Sequence, residues 1–191
     1  MKTSTATSLT IEHALLGFVY DRPSYGYEIY QQLTLPTGLW QVWRMKQSQL
    51  YALLAKLEEV AYLTATLQLQ DARPPRKIYS LTASGRAAFA QWLLCPVPHG
   101  RQMRLEFLAK LYFTYRQVPA VTLHLLDQQV ATCMLWLADL QQQAASGPTA
   151  QSFDYAVQQF RISQIEAFLA WLETCRQPLL TGALYAESHS K

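Results

Sequence analysis

The chain has 191 residues, half of them apolar and 15% charged, which excludes a disordered chain and allows one domain or two small ones with a real core. Its three cysteines, Cys95, Cys133 and Cys175, are widely spaced and odd in number, against a disulfide framework and in keeping with a reducing compartment. No apolar run exceeds six residues and "MKTSTATS" lacks the apolar segment of a signal peptide, so a soluble cytoplasmic protein with no membrane partner is expected. The net charge is +3, and its placement is uneven: residues 1–95 carry nine Lys/Arg against six Asp/Glu, while residues 96–191 carry seven of each. The basic excess in the first half is a weak pointer to an anionic partner.

In chain order, the spacing predicts a first helix capped by Thr10 and running through Val19, with Leu9, Ile11, Leu15, Leu16 and Val19 as a wide apolar face. A second helix starts near Ser24, continues through "YGYEIYQQL" and stops before Pro36. "TGLWQVWRM" reads as a connection with a short extended piece at residues 39–42. The third helix spans residues 47–60, with Leu50, Leu53, Leu54 and Leu57 in the core. The period then changes to two: Leu63, Ala65, Leu67 and Leu69 alternate with Thr64, Thr66, Gln68 and Gln70 as a half-buried strand. Lys77, Tyr79 and Leu81 alternate with Arg76, Ile78 and Ser80 on a return strand, and residues 71–75 join the two. Within "LQLQDARPPRKIYSLTASG" the tip carries Arg73, Arg76 and Lys77 beside Pro74 and Pro75. Thr82 caps a helix over "ASGRAAFAQWLL" that ends at Pro96.

"CPVPHG" at residues 95–100 marks a domain boundary. Beyond it three helices are expected, over residues 101–117, 120–145 and 149–176, the last stopped by Pro178. The middle one bears a heptad-like stripe of Leu123, Leu126, Val130, Cys133, Leu137 and Leu140. The last has two stripes: Phe153, Val157, Phe160, Ala167 and Trp171 on one side, Ile162, Ile165, Leu169 and Leu172 on the other. A helix apolar on two sides must be covered on two sides, which implies a partner chain. Leu123, Leu126, Val130, Leu137, Phe160, Ile165, Leu169 and Leu172 are the expected dimerisation residues. Tails at residues 1–8 and 178–191 are expected to be flexible.

The segments "HALLGFVYDRPSYGYEIYQQL", "QSQLYALLAKLEEVAYLTAT" and "ARPPRKIYSLTASGRAAFAQWL" resemble the PadR-like transcriptional regulators, and "RLEFLAKLYF" resembles the virulence-activator alpha C-terminal domain attached to many of them. The resemblance implies a mainly α fold with a small β-hairpin: an N-terminal winged helix-turn-helix over residues 9–95 plus a C-terminal antiparallel helical dimerisation domain over residues 100–177. It implies a homodimeric regulator, a repressor being the expectation adopted over an activator, on a near-palindromic operator, with release by a small hydrophobic or aromatic effector. Glycine is usual in the family right after the recognition helix. Here Ala61 stands instead, which implies either a cost on the order of 1 kcal/mol or a differently shaped helix exit.

In a winged helix-turn-helix the third helix enters the major groove by its N-terminal end. Gln47 and Gln49 are then candidate adenine readers, Ser48 serves either base type, and Arg44 and Lys46 stand at the entrance. Tyr51 and Lys56 lie further along as phosphate contacts, with Arg73, Arg76 and Lys77 in the wing and Tyr25 at the start of the second helix; Tyr27 is expected in the core. Phe89, Trp92, Phe107, Tyr112 and Trp136 are candidate linings of an effector pocket, with plain core as the competing reading. His13, His99, His124 and His189 are scattered, and no HxxxH, CxxC, GxSxG, P-loop or GxGxxG occurs, so no catalytic site, metal or cofactor is expected. Cys133 is expected as packing, and a redox role for Cys95 is not favoured. Two other classes remain open: a sequence-indifferent architectural DNA-binding protein, and a protein-interaction module on a degenerate winged helix.

Overall fold

In the computed structural model, which describes residues 10–70, 73–145 and 152–181, the first apolar repeat folds as a 3-10 turn at Ile11–His13 running into a short helix α1 (Ala14–Gly17). It is shorter than the pattern predicts: the α-helix ends at Gly17, and Phe18 and Val19 close the turn with tighter bonds to the Leu15 and Leu16 carbonyls, while the buried His13 ring lies against the Thr10 backbone at its start. A short strand β1 (Ser24–Tyr25) precedes α2 (Gly26–Leu33), where a helix from Ser24 was expected. Tyr25 is extended (φ −75°, ψ 149°), so the pair forms an edge strand and the helix starts only at Gly26. The piece expected to be extended near residue 40 is a 3-10 turn, Leu39–Gln41. Helix α3 (Gln47–Glu59) buries Leu50, Leu54 and Leu57 with Leu53 at the margin, as its spacing predicts.

Strands β2 (Leu63–Gln70) and β3 (Arg73–Leu81) pair antiparallel from Leu63↔Leu81 to Gln70↔Arg73. The sheet order is β1-β3-β2, so the hairpin gains a third strand, with Ser24 opposite Tyr79. Along β2 the cover falls away: Leu63 is buried, Ala65 half-buried, and Leu67 is 67% exposed against expectation. The hairpin simply outruns the core. Residues 71 and 72 lie outside the described residues, but Pro74 and Pro75 belong to β3 and not to the loop expected there. The register shifts between Gln68↔Arg76 and Gln70↔Arg73, which places the extra residue of the bulge on the proline-bearing strand.

The exit of α3 decides how the wing leaves. Ala61 adopts a left-handed conformation, φ +57°. Ala61 N–H donates to the Glu58 carbonyl and Tyr62 N–H to the Leu57 carbonyl, the paired bonds of a Schellman cap. Of the two readings of Ala61, the strained one holds. Tyr62 then passes so close to α4 (Ala83–Leu94) that a Cβ on Gly85 would lie 2.0 Å from the Tyr62 carbonyl oxygen. Thr82 caps α4 as expected, its Oγ1 accepting from Gly85 N–H at 2.9 Å.

The compact units divide differently from the sequence boundary at residues 95–100: Met1–Cys95 groups with Arg101–Arg116, and Pro96–Gly100 with Gln117–Lys191. A 3-10 turn, Gly100–Arg104, leads into α5 (Glu106–Thr114), and α5 packs in the first unit. Glu106 and Lys110 form a buried pair at 3.3 Å. Trp92 Nε1–H and Gln102 Nε2–H donate to the two carboxylate oxygens of Glu106, and Lys110 Nζ donates to the Cys95 carbonyl at 2.8 Å. A charge pair survives burial only with its remaining lone pairs and protons satisfied, and these partners all lie in the first unit. Phe113 adds edge-to-face contacts with Phe18 and Phe89 at ring separations of 5.4 and 5.5 Å.

The second unit pairs α6 (Pro119–Ala145) with α7 (Phe153–Leu180) antiparallel, and Arg176 late in α7 meets Asp127 early in α6 at 3.2 Å. Buried Gln129 binds both the N–H and the C=O of Val97, which secures residues 96–100 to this unit. Pro178 does not stop α7, which continues to Leu180 because buried Leu179 holds its last turn. The tails expected at 1–8 and 178–191 fall outside the described residues, apart from 178–181. No helix among the described residues is long and apolar enough to cross a membrane.

Two expectations follow. Ala61→Gly raises unfolding free energy by about 1 kcal/mol, roughly 2–4 °C in melting, whereas Gly85→Ala lowers it by at least about 1–3 kcal/mol because the obstructing atom is backbone; thermal melts of both variants check this. Burial pushes the His13 imidazole below its ordinary 6.5, against the raising pull of the Thr10 carbonyl, to which the ring N–H can donate, and of Glu12 and Glu106. The unfolded chain therefore takes a proton that the folded one refuses, and stability falls as pH drops below about 6.5. Urea titrations between pH 8 and 5 should show that fall, with a shallower one in His13→Gln.

Candidate nucleic-acid interface

The start of α3 is held open by its own first turn. Lys46 takes the N-cap position with extended backbone (φ −76°, ψ 153°), and its side chain has no acceptor to offer the helix. Gln49 supplies the cap from the other direction: its Oε1 accepts from the Lys46 backbone N–H at 2.8 Å. Arg44, Lys46, Gln47, Ser48 and Gln49 are all exposed here. Gln47 makes no side-chain hydrogen bond among the described residues. Gln49 does, and it can present both ends of its amide to adenine only by releasing its cap.

Helix α2 brings its own first turn alongside. Glu28 accepts from the Tyr25 N–H at 3.2 Å, and Gly26, Ile29 and Leu33 face the core. That spacing turns Tyr27 outward, where it is 54% exposed and bonded to Gln31, a correction to its expected core placement. The 26/29/33 pattern carried this signal, since Tyr27 and Gln31 fall on the opposite face. Tyr25 is half-buried, and its hydroxyl donates to Gln68 across the wing.

Between α2, α3 and the wing lies an open cleft of about 620 Å³ lined by Tyr25, Gly26, Tyr27, Gln47, Tyr51, Arg76, Lys77 and Tyr79. The structure thus brings together Tyr25, Gln47, Tyr51, Arg76 and Lys77 of the expected contacts. It adds Gly26, Tyr27 and Tyr79, which sequence reasoning did not assign to this face. Burial holds the Tyr79 phenol above its ordinary value, so it lines the cleft as a neutral group.

The cations are not equivalent. Lys77 pairs with Glu58 at 3.0 Å, and that hydrogen bond raises its ammonium above the ordinary value. Lys56 lies further along α3, outside the cleft, and pairs with Glu12 at 3.4 Å. Both are exposed pairs that a competing anion can break. Arg76, Arg44 and Lys46 have no carboxylate within ion-pair distance among the described residues, and Arg44 lies 6.0 Å from the Trp40 ring. The side chain of Arg73 lies outside the described residues.

Of the residues expected to line an effector pocket, Phe89, Trp92 and Phe107 are buried in the first unit, Tyr112 packs on Phe18 and Phe113, and Trp136 belongs to the second unit. Of the expected dimerisation residues, Leu126, Ile165 and Leu172 are buried within the chain; Leu123, Val130, Leu137 and Leu169 are half-buried; Phe160 is 65% exposed.

Helix, helix-turn-helix and a two-stranded wing in this order define a winged helix-turn-helix protein, a DNA-binding class. Residues 15–91 match the transcriptional regulator PadR-like family and residues 103–179 the virulence activator alpha C-terminal family. Residues 15–91 thus carry a PadR-like regulator domain, and residues 103–179 a virulence activator alpha C-terminal domain. The chain is 26% identical to the negative transcriptional regulator PadR of Bacillus subtilis over 86% of this chain and 94% of the relative. A probable transcriptional regulator of Mycobacterium tuberculosis is 31% identical over 50% of each chain. Among solved structures, B. subtilis PadR in complex with operator DNA is 26% identical, covers 88% of this chain and 98% of that one, and has a TM-score of 0.44.

The Gln49 cap has a testable consequence. Gln49→Ala should lower unfolding free energy by ~0.5–2 kcal/mol, and Gln49→Glu should restore most of it, since a carboxylate also accepts from the Lys46 N–H. Urea unfolding of the two variants measures the difference.

Proposed function

We propose that this chain acts as a homodimer that binds a near-palindromic operator in duplex DNA and represses transcription from it, in the cytoplasm. The observation that carries the reading is the cleft in which Gln47 and Tyr51 of α3 converge with Arg76, which has no carboxylate partner among the described residues. Gln47 and Ser48 read base edges in the major groove. Arg76, Tyr51, Arg44 and Lys46 hold phosphate oxygens, and Lys77 and Lys56 join them by exchanging their carboxylates for phosphate. Gln49 shapes the helix start first and reads a base second. The region over residues 9–95, with α5, serves as the DNA-binding part.

The second unit supplies the dimer contact. Phe153, Leu135, Phe160 and Met134 are 81%, 72%, 65% and 58% exposed, an apolar load that a single copy leaves in water. A dimer places two recognition helices on two half-sites, which is why a near-palindrome is the expected operator. The name of the B. subtilis relative, a negative regulator, supports repression, and that relative has also been solved with p-coumaric acid. Release of this chain by a small aromatic or hydrophobic effector is the accompanying proposal.

The test is fluorescence anisotropy with DNA from upstream of its own gene and a shuffled control, across salt concentrations. Preference for the upstream piece with a dimer stoichiometry is the expected result; equal binding to both points to an architectural protein, and no binding to a protein-interaction module. Arg76→Ala should weaken both duplexes and flatten the salt slope by about one unit per subunit. Gln47→Ala should instead cost ~1–3 kcal/mol at a single base pair, and equal loss on both duplexes would rule out base reading.

A further inference from the structure

Gly26 is buried at the first position of α2, yet nothing in its backbone requires glycine: Gly38 is the one described glycine with positive φ. What requires it is the Tyr51 ring. A Cβ on Gly26 would lie 2.5 Å from Tyr51 Cε1, 3.2 Å from Cζ and 3.3 Å from the hydroxyl oxygen. Tyr51 comes from α3, one turn beyond Gln47, and is 40% exposed, with no hydrogen bond to its hydroxyl among the described residues. The ring therefore rests on the Cα of Gly26, and its hydroxyl, otherwise unpartnered, faces the cleft shared with Arg76 and Lys77.

The two crowded glycines of this region differ in kind. At Gly85 the obstructing atoms are the Tyr62 backbone, which has nowhere to go. At Gly26 they are the far end of a side chain that turns about two torsions. A methyl group at position 26 leaves the fold standing and evicts the ring.

We infer that Gly26 is a positioning residue of the DNA interface: its absent side chain fixes the Tyr51 hydroxyl in the cleft as a donor to a backbone phosphate oxygen. The inference rests on the DNA-binding reading. A donor fixed before binding loses little entropy on docking, whereas a displaced ring must be ordered again or makes no bond.

A double-mutant cycle tests it. Wild type, Gly26→Ala, Tyr51→Ala and the double variant are titrated by anisotropy with one mixed-sequence duplex at low salt, and each is melted in parallel. Gly26→Ala should weaken binding roughly tenfold, about as much as Tyr51→Ala, with melting little changed, and the double variant should bind no worse than Tyr51→Ala. Binding by Gly26→Ala equal to wild type, or losses that multiply in the double variant, would overturn it. A Gly26→Ala protein that does not fold assigns the glycine a structural role and overturns it as well. Absence of binding by wild type is a separate outcome, which removes the DNA-binding reading itself.

Discussion

The approach of the Tyr62 carbonyl to Gly85 is the constraint on which the arrangement of α3, the wing and α4 depends. At this point the end of α3, the base of both wing strands and the start of α4 occupy one small volume. Thr82 N–H donates to the Tyr62 carbonyl, and the Thr82 and Ser84 hydroxyls reach the Ala61 carbonyl at 2.7 and 2.8 Å. These bonds offset the left-handed strain at Ala61, of order 1–2 kcal/mol, and hold the turn that aims the wing back along α3. Tip the turn and Arg76 no longer shares a cleft with Tyr51.

In and around the cleft, charge is arranged by availability as much as by number. Two lysines are already neutralised by Glu12 and Glu58, while Arg76, Arg44 and Lys46 have no carboxylate partner among the described residues. In the proposed DNA complex the latter would take up phosphate without first losing a partner, and the paired ones would contribute only the difference between two ion pairs. The same economy governs the amides. Gln49 spends its oxygen on the helix start, which leaves Gln47 as the glutamine able to offer both ends to a base.

Helix α5 shows why a composition break is not a packing boundary. Proline and glycine at residues 95–100 do interrupt the helices, but the Glu106–Lys110 pair cannot be buried away from Trp92, Gln102 and the Cys95 carbonyl. Burial lowers the Lys110 ammonium from its ordinary value while Glu106 pulls it back up, so the pair persists only as a satisfied network. The linker itself goes the other way, through Gln129.

The apolar periods alone determined the helices α2 to α4, the hairpin between them and the two long helices, because side-chain spacing of 3.6 or 2 reports which face is buried whatever it is buried against. The capping Thr82 and the strained Ala61 were likewise legible, each tied to a local turn. Tertiary structure alone decided the third strand at Ser24, the outward turn of Leu67, the union of α5 with the first unit, the pairing of Lys56 and Lys77, and the contact of Gly26 with Tyr51. Each joins residues far apart in the chain or sets how deep a surface lies, and periodicity carries neither distance nor depth. Continuation of α7 through Pro178 belongs with them, since a proline's local penalty yields where a buried Leu179 anchors the turn beyond it.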